Sequence, residues 1–263
     1  MKNEREKRGL SPFWVGGFHA VKETLDSRPE DVFELWVAAV KNQDLETQEI
    51  IRRARKRGIP VHFRDKEELS RVTKTDRHQG LAARAKEKSV LSFSDFLNRW
   101  EEKGNFKRDN FFLVALDQIQ DPHNLGAIAR SASVFGAHGL ILCDRRSASA
   151  SSGAVRSSAG ALEKISLYEA ANLGQALASA KKAGFWIYGA AAGGRPAWES
   201  ALNTPMILVI GSEGEGLRKS TEDLCDELLG IPISESGVSS LNASVASGIL
   251  MYEICRRGVR GNL

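Results

Sequence analysis

Met206-Ile207-Leu208-Val209-Ile210 runs without a polar residue into Gly211-Ser212-Glu213-Gly214-Glu215-Gly216-Leu217. A short, continuous apolar run is what a strand buried on both faces requires, and helices covering a parallel sheet supply that burial. The same texture recurs at Phe112-Leu113-Val114-Ala115-Leu116, Gly139-Leu140-Ile141-Leu142-Cys143 and Phe185-Trp186-Ile187-Tyr188, with helical patterns between them. These runs predict an α/β domain built on a parallel sheet over residues 111–263.

Upstream, a smaller α/β domain is expected over residues 1–88. Phe18–Leu25 has helical spacing, Phe33–Val37 and Pro60–Phe63 read as strands, and Gly80–Ala85 adds another. A helix from about Asp44 to Arg57 should end at Gly58, where a left-handed C-cap is easily adopted. Residues 89–110 are charged, with one amphipathic stretch at Phe93–Trp100 and a turn-like Lys103-Gly104-Asn105, and are expected to be a linker.

Composition narrows the function classes. The chain has 263 residues, 42% hydrophobic and 27% charged, which excludes wholesale disorder. No run approaches the roughly 18 apolar residues of a membrane span. The start, Met1 to Trp14, is basic but lacks the apolar core of a secretory signal. Cys143, Cys225 and Cys255 are odd in number and far apart, which argues against a disulfide framework and a Cys-built zinc site. His19, His62 and His138 are expected to pack or cap rather than ligate a metal. A soluble, cytoplasmic protein without a bound metal is the expectation.

The net charge of +4 is unevenly placed. Residues 1–89 carry 20 Lys/Arg against 15 Asp/Glu, whereas residues 112–263 carry 13 against 14. The densest cluster is Arg52, Arg53, Arg55, Lys56 and Arg57. Such a patch draws a polyanion through counterion release. The plainer reading is a solvated helix face paired with Asp44, Glu46 and Glu49. Segregation of charge between the two halves favours nucleic acid as the partner of the first domain.

In parallel sheets, ligands gather beyond the carboxyl ends of the strands, and three unusual loops are expected there. The first, Asp117 to Arg130, starts a helix at Pro122 and Asn124 and places Arg130 about 140° from Leu125 on the helical wheel, off the apolar stripe. The second is Gly211 to Leu217, whose glycines let backbone approach a ligand; it lacks the Gly-Lys-Ser/Thr of a phosphate loop, and Glu213 and Glu215 would repel a bare triphosphate. The third runs from a short strand at Ile231-Pro232-Ile233 through a polar loop to a Ser-capped helix with Leu241, Val245, Ile249 and Tyr252 on one face.

Together, Asn124-x-Gly126-x-x-x-Arg130, Gly211-Ser212-Glu213-Gly214-x-Gly216 and Ile231-Pro232-Ile233 through Ser240-Leu241-Asn242 resemble the three motifs of the SpoU (TrmH-like) RNA 2′-O-ribose methyltransferases of the SPOUT superfamily. The likeness spans residues 112–257. The first domain, with Gly16-Gly17-Phe18-His19-Ala20-Val21 and His78-Gln79-Gly80, is similar to the substrate-binding domain of the bacterial 23S rRNA guanosine 2′-O-methyltransferase branch. Ser234-Glu235-Ser236-Gly237 is about one residue longer than the usual form.

The resemblance implies a C-terminal trefoil knot, a rare exception to unknotted topology, and a homodimer packed through it. It implies S-adenosylmethionine as cofactor, held largely by backbone at Gly211, Ile231 and Leu241 with Ser240 and Asn242 adjoining. It implies Asn124, Arg130, Glu213 and Asn242 as the catalytic set. An arginine with a pKa above about 12 is a poor base. Arg130 is therefore expected to anchor a phosphate and stabilise the developing alkoxide. The proton would pass to that phosphate, to water or to Glu213, and Asn124 would orient Arg130 or the ribose. A tRNA ribose methyltransferase, a thiostrepton-resistance-type rRNA enzyme and a non-catalytic ribosome-assembly factor are the alternatives.

Overall fold

Asp44 and Asp65 each open a helix in the first unit by the same device: the carboxylate accepts the main-chain N–H three residues on, from Thr47 and Glu68, at 2.7 Å in both cases. The computed structural model describes residues 12–40, 43–103, 110–143, 158, 160–234 and 240–260. The chain divides into two units, residues 1–88 with 150–164, and residues 89–149 with 165–263.

In the first unit, β1 (Phe13–Gly16), α1 (Phe18–Ser27), β2 (Val32–Ala38), α2 (Leu45–Lys56), β3 (Val61–Arg64), α3 (Lys66–Thr73) and β4 (Leu81–Ala85) follow one another. The sheet order is β1-β4-β2-β3. Strand β4 is antiparallel to both its neighbours, and β2 and β3 are parallel. Val15, Leu35, Val37, Leu81 and Ala83 are fully buried. Gly58, at φ 72°, turns the chain after α2 as expected. The unit also holds the short helix Ala161–Lys164, whose buried Glu163 takes two bonds from the Arg28 guanidinium, at 2.6 and 3.0 Å.

The second unit contains β5 (Leu91–Ser92), α4 (Phe93–Lys103), β6 (Phe112–Leu116), α5 (Pro122–Val134), β7 (Gly139–Cys143), β8 (Ser166–Ala170), α6 (Leu173–Lys182), β9 (Trp186–Pro196), β10 (Met206–Ile210), β11 (Glu227–Gly230) and α7 (Ala243–Arg260). Its sheet runs β11-β9-β10-β6-β7-β8-β5 with every pair parallel. This is the sheet that the apolar runs predict, and β6, β7 and β10 have the expected limits. No helix among the described residues is long and apolar enough to cross a membrane.

Three expectations need correction. The stretch 89–110 is not simply a linker: β5 pairs with β8, and α4 buries Phe93, Phe96, Leu97 and Trp100 among Phe111, Tyr168 and Phe185. Ring centroids lie 4.7 Å apart for Trp100 with both Phe111 and Phe185. Burying each of these side chains contributes about 1.5–3 kcal/mol, so the charged residues are the outward face of a core helix. Second, the strand expected at Ile231-Pro232-Ile233 ends at Gly230 instead. Pro232 has no N–H to give a ladder. Third, Asn242 rather than a serine caps α7, accepting the Ser244 N–H at 2.8 Å. Most of the basic start, most of the Lys103-Gly104-Asn105 turn and the long form after Ser234 lie outside the described residues.

Candidate active site

Ile210 and Leu116 are register partners, so β10 and β6 deliver their loops side by side at one end of the sheet. After β10, Gly211 enters a hairpin-like turn in which Ser212 and Gly216 exchange two main-chain bonds of 3.1 Å. Gly214 and Gly216 take φ values of 86° and 69°, where a side chain is strained. At Gly211 the constraint is contact: a Cβ would stand 2.2 Å from the Gly216 carbonyl carbon and 2.5 Å from the Leu217 nitrogen. Only glycine lets the strand fold back on its own loop there.

After β6, Asp121 caps α5 by accepting the His123 N–H at 2.9 Å, and Pro122 occupies the first turn, where no N–H is needed. The third residue of α5, Asn124, is buried and donates from Nδ2 to Glu213 Oε1 at 3.0 Å. Asn242 joins them: its Nδ2 donates to Asn124 Oδ1 at 3.2 Å and also to Glu213 Oε1. Its own Oδ1 is taken by Ser244 and Val245 as the cap of α7. One residue from each of the three loops therefore meets in a single hydrogen-bonded cluster, with both amides donating to one carboxylate oxygen.

Arg130 lies six residues beyond Asn124 on α5, is exposed, and forms no bond with Asn124, Glu213 or Asn242. Among the described residues no hydrogen bond or ion pair takes up its guanidinium, which can therefore meet an anion. Of the residues implied to hold the cofactor, Gly211 is buried, Ile231 follows β11 directly, and Ser240 and Leu241 are exposed immediately before Asn242. Strand β11 is parallel to β9, and β9 to β10, so Ile231 leaves the sheet at the same end as Gly211.

Asp117 has a place at the site that motif reading overlooks. Fully buried just beyond β6, its Oδ2 accepts the Arg218 N–H at 3.2 Å, and Arg218 Nη2 lies 2.7 Å from its Oδ1. That clamps the end of the glycine loop to the start of the Asn124 loop. The sequence signal is a carboxylate directly following an entirely apolar strand. Nearby, burial pushes the Cys225 thiol up to about 12, so it is no nucleophile at neutral pH. Among the described residues no group of His, Cys, Asp or Glu is placed to hold a metal ion.

In the first unit the basic cluster on α2 is partly self-neutralised. Arg52 and Arg53 both bond to Glu49, and Arg53 and Arg57 approach Asp26 at 3.1 and 3.7 Å. The Arg52 and Arg53 guanidinium groups hold the Glu49 carboxyl down at about 2. Arg55 and Lys56 are exposed at the end of the helix.

Comparison with known proteins accords with this geometry. Residues 111–252 match the SpoU rRNA Methylase family, and residues 14–91 match the RNA 2′-O ribose methyltransferase substrate binding family. The chain is 38% identical over 258 residues to an uncharacterized tRNA/rRNA methyltransferase of Synechocystis, covering 98% of this chain but 65% of the relative's length. It is 35% identical over 248 residues to the 23S rRNA (guanosine-2′-O-)-methyltransferase RlmB of Yersinia pestis, covering 94% of this chain and 98% of that one. The SpoU methyltransferase AviRb of Streptomyces viridochromogenes, crystallised with the cofactor AdoMet, superposes with a TM-score of 0.74 at 25% identity, covering 99% of this chain and 95% of that one. Two family matches that between them take in both units, and full-length relatives above 30% identity, make this chain a member of the SpoU rRNA methylase family and an RNA 2′-O-ribose methyltransferase.

Proposed function

We propose that the chain methylates the ribose 2′-oxygen of a guanosine in 23S ribosomal RNA, with S-adenosylmethionine as donor. The observation that carries this reading is the meeting of Asn124, Glu213 and Asn242 beside Gly211, at the strand ends where such sheets hold ligands. The name of the Yersinia relative supports the choice of rRNA and of guanosine.

The residues present fit the donor. Gly211 brings bare main chain to the site, and Glu213 and Glu215 suit a sulfonium cation rather than a polyphosphate. Gly211, Ile231, Ser240 and Leu241 would hold it. When bound, S-adenosylmethionine supplies a methyl group already activated for transfer, so no metal is required.

The protein's own task is alignment and proton handling. Holding two reactants in line contributes up to about 7–11 kcal/mol in well-oriented model reactions. Arg130 anchors an RNA phosphate through its planar fork and stabilises negative charge growing on the ribose oxygen. Asn124 and Asn242 fix Glu213 through Oε1, which leaves Oε2 outside that amide cluster to accept the hydroxyl proton. Asn124 thus orients the carboxylate rather than Arg130.

The knot implied by the family belongs to the same proposal, as does a homodimer. Val245, Ile249 and Tyr252 form one stripe along α7 and are 42–53% exposed, with Leu241, just before the helix, exposed at 38% and Val134 of α5 at 70%. A continuous exposed apolar stripe marks an interaction surface, here for a second copy, and a sedimentation mass of one chain would rule it out. Domain 1–88 is the RNA-contacting part, supported by its substrate-binding match, and Arg55 and Lys56 are the members of the α2 cluster left to meet phosphate. The enzyme acts in the cytoplasm, on ribosomal RNA. Methyl transfer to 23S rRNA and to tRNA transcripts tests the substrate: rRNA alone should be labelled, and preferential labelling of tRNA would overturn this choice.

A further inference from the structure

The register of the four-stranded sheet sorts its side chains onto two faces. One carries the fully buried Val15, Leu35, Val37 and Ala83. The other carries Trp14 opposite Arg84, Arg84 opposite Glu34, and Trp36 between Ala82 and His62, with Arg64 beside Ala38. Thr73 of α3 covers that second face at Gly16, where a Cβ would meet its Cγ2 at 2.8 Å. Away from that end the two tryptophans are only half-buried and Arg84 is exposed.

The exposed part is ordered rather than loosely decorated. The Trp14 and Trp36 rings lie 4.5 Å apart, tilted by 58°. The Arg64 guanidinium stands over the Trp36 ring at 5.1 Å. Glu34, on the same face, ties the group together: Trp36 Nε1 donates to it at 2.7 Å and Arg84 Nη1 at 3.1 Å. Two half-exposed indoles in contact on a sheet, one of them held by a hydrogen bond and both flanked by arginines, have the two features that single-stranded RNA requires. Flat aromatic faces accept unstacked bases, and guanidinium groups meet the backbone.

We propose that this face, with Trp14 and Trp36 as stacking platforms and Arg64 and Arg84 as phosphate contacts, binds unpaired bases of the RNA substrate. The proposal rests on the reading of domain 1–88 as RNA-contacting and names the surface that performs it. Single-stranded RNA is favoured over a protein partner by the arginines bordering the rings and by the basic excess of this domain.

The test uses the full chain and fluorescence anisotropy with a short labelled oligoadenylate, and with an RNA duplex of equal length as comparison. Trp36→Ala should weaken single-strand binding by at least about fivefold, the least that loss of one stacked base brings. Trp36→Phe should recover most of it, and S-adenosylmethionine affinity should stay as in the wild type. Unchanged single-strand binding by a folded Trp36→Ala protein overturns the proposal, and so does equal weakening toward duplex. If binding falls with an Arg55→Glu/Lys56→Glu variant but not with Trp36→Ala, the sheet face is excluded while the RNA-binding reading of the domain stands. If the wild type binds neither RNA, both fail. Should Trp36→Ala not fold, photocrosslinking of the wild type to 5-iodouridine RNA decides: adducts on Trp14 or Trp36 support the proposal, and adducts confined to other residues overturn it.

Discussion

Asn124 and Glu213 are 89 positions apart in the chain, and Asn124 Nδ2 donates to Glu213 Oε1 at 3.0 Å. This bond joins the first turn of α5 to the glycine loop after β10, and Asn242 locks both from the start of α7. A carboxylate on an exposed turn is thereby given one orientation without being buried.

Asn242 serves two ends at once, and substitutions separate them. Asn242→Asp keeps an oxygen for the Ser244 and Val245 N–H groups, so the cap of α7 survives. It replaces the donor to Glu213 by a second carboxylate. The expected outcome is near-wild-type melting with methyl transfer reduced at least about tenfold, since orientation of the reacting groups is lost. Asn242→Ala should also lose about 1 kcal/mol of stability with the cap. Denaturation and initial-rate measurements on both variants check this.

Arg130 is exposed and outside the amide cluster, so its replacement should leave stability within about 0.5 kcal/mol. Arg130→Ala should lower turnover at least about a hundredfold, the scale of losing one preorganised charge-stabilising donor. Arg130→Lys keeps the charge but not the planar fork, and should recover little. Turnover of the Lys variant close to wild type would show that bidentate geometry is unimportant.

Gly211 and Gly214 distinguish close contact from backbone conformation. A methyl group at Gly211 meets the Gly216 carbonyl carbon at 2.2 Å, whereas at Gly214 nothing lies within 4 Å and only the φ of 86° is unfavourable. Gly211→Ala should displace the loop and weaken S-adenosylmethionine binding at least about tenfold, against a cost of roughly 1 kcal/mol in stability alone for Gly214→Ala. Titration calorimetry on the two variants measures the difference.

Much of this arrangement is legible in the sequence, for physical reasons that also mark where legibility ends. Strands β6, β7 and β10 are buried on both faces, so Phe112–Leu116, Gly139–Cys143 and Met206–Ile210 are apolar throughout and announce themselves. Strand β11, Glu227-Leu228-Leu229-Gly230, lies at the sheet edge and brings Gly230 close against the Gly194 main chain, an approach that carries no hydrophobic signal. Helix α4 is read as a linker because Asp95, Arg99, Glu101 and Glu102 outnumber the aromatics that bury it. Asn124, Glu213 and Asn242 are identifiable from three motifs in order, but no spacing shows that the amides orient the carboxylate instead of Arg130. Arg28 and Glu163, 135 residues apart, give no local sign of meeting.

Lys88 makes the first unit sensitive to alkaline pH. Its ammonium donates to the Leu162 and Glu163 carbonyls at 2.6 and 2.7 Å, and burial pushes it from 10.5 down to about 8. Between those values the unfolded chain keeps a proton that the folded chain has released, so this group adds stability as pH rises from about 8 to 10.5. Below about 8 both states are protonated and its contribution is constant. Denaturant titrations of wild type and Lys88→Met should show wild-type stability gaining on the variant across that window; a parallel pH course for the two proteins would contradict this.

Transfer of label from methyl-tritiated S-adenosylmethionine to 23S rRNA, followed by digestion to nucleosides, examines the proposed chemistry in one measurement. The tritium should appear in 2′-O-methylguanosine with the wild type and fall away with Arg130→Ala. Label on a base, or transfer unaffected by loss of Arg130, would contradict the assignment of this cluster to ribose methylation.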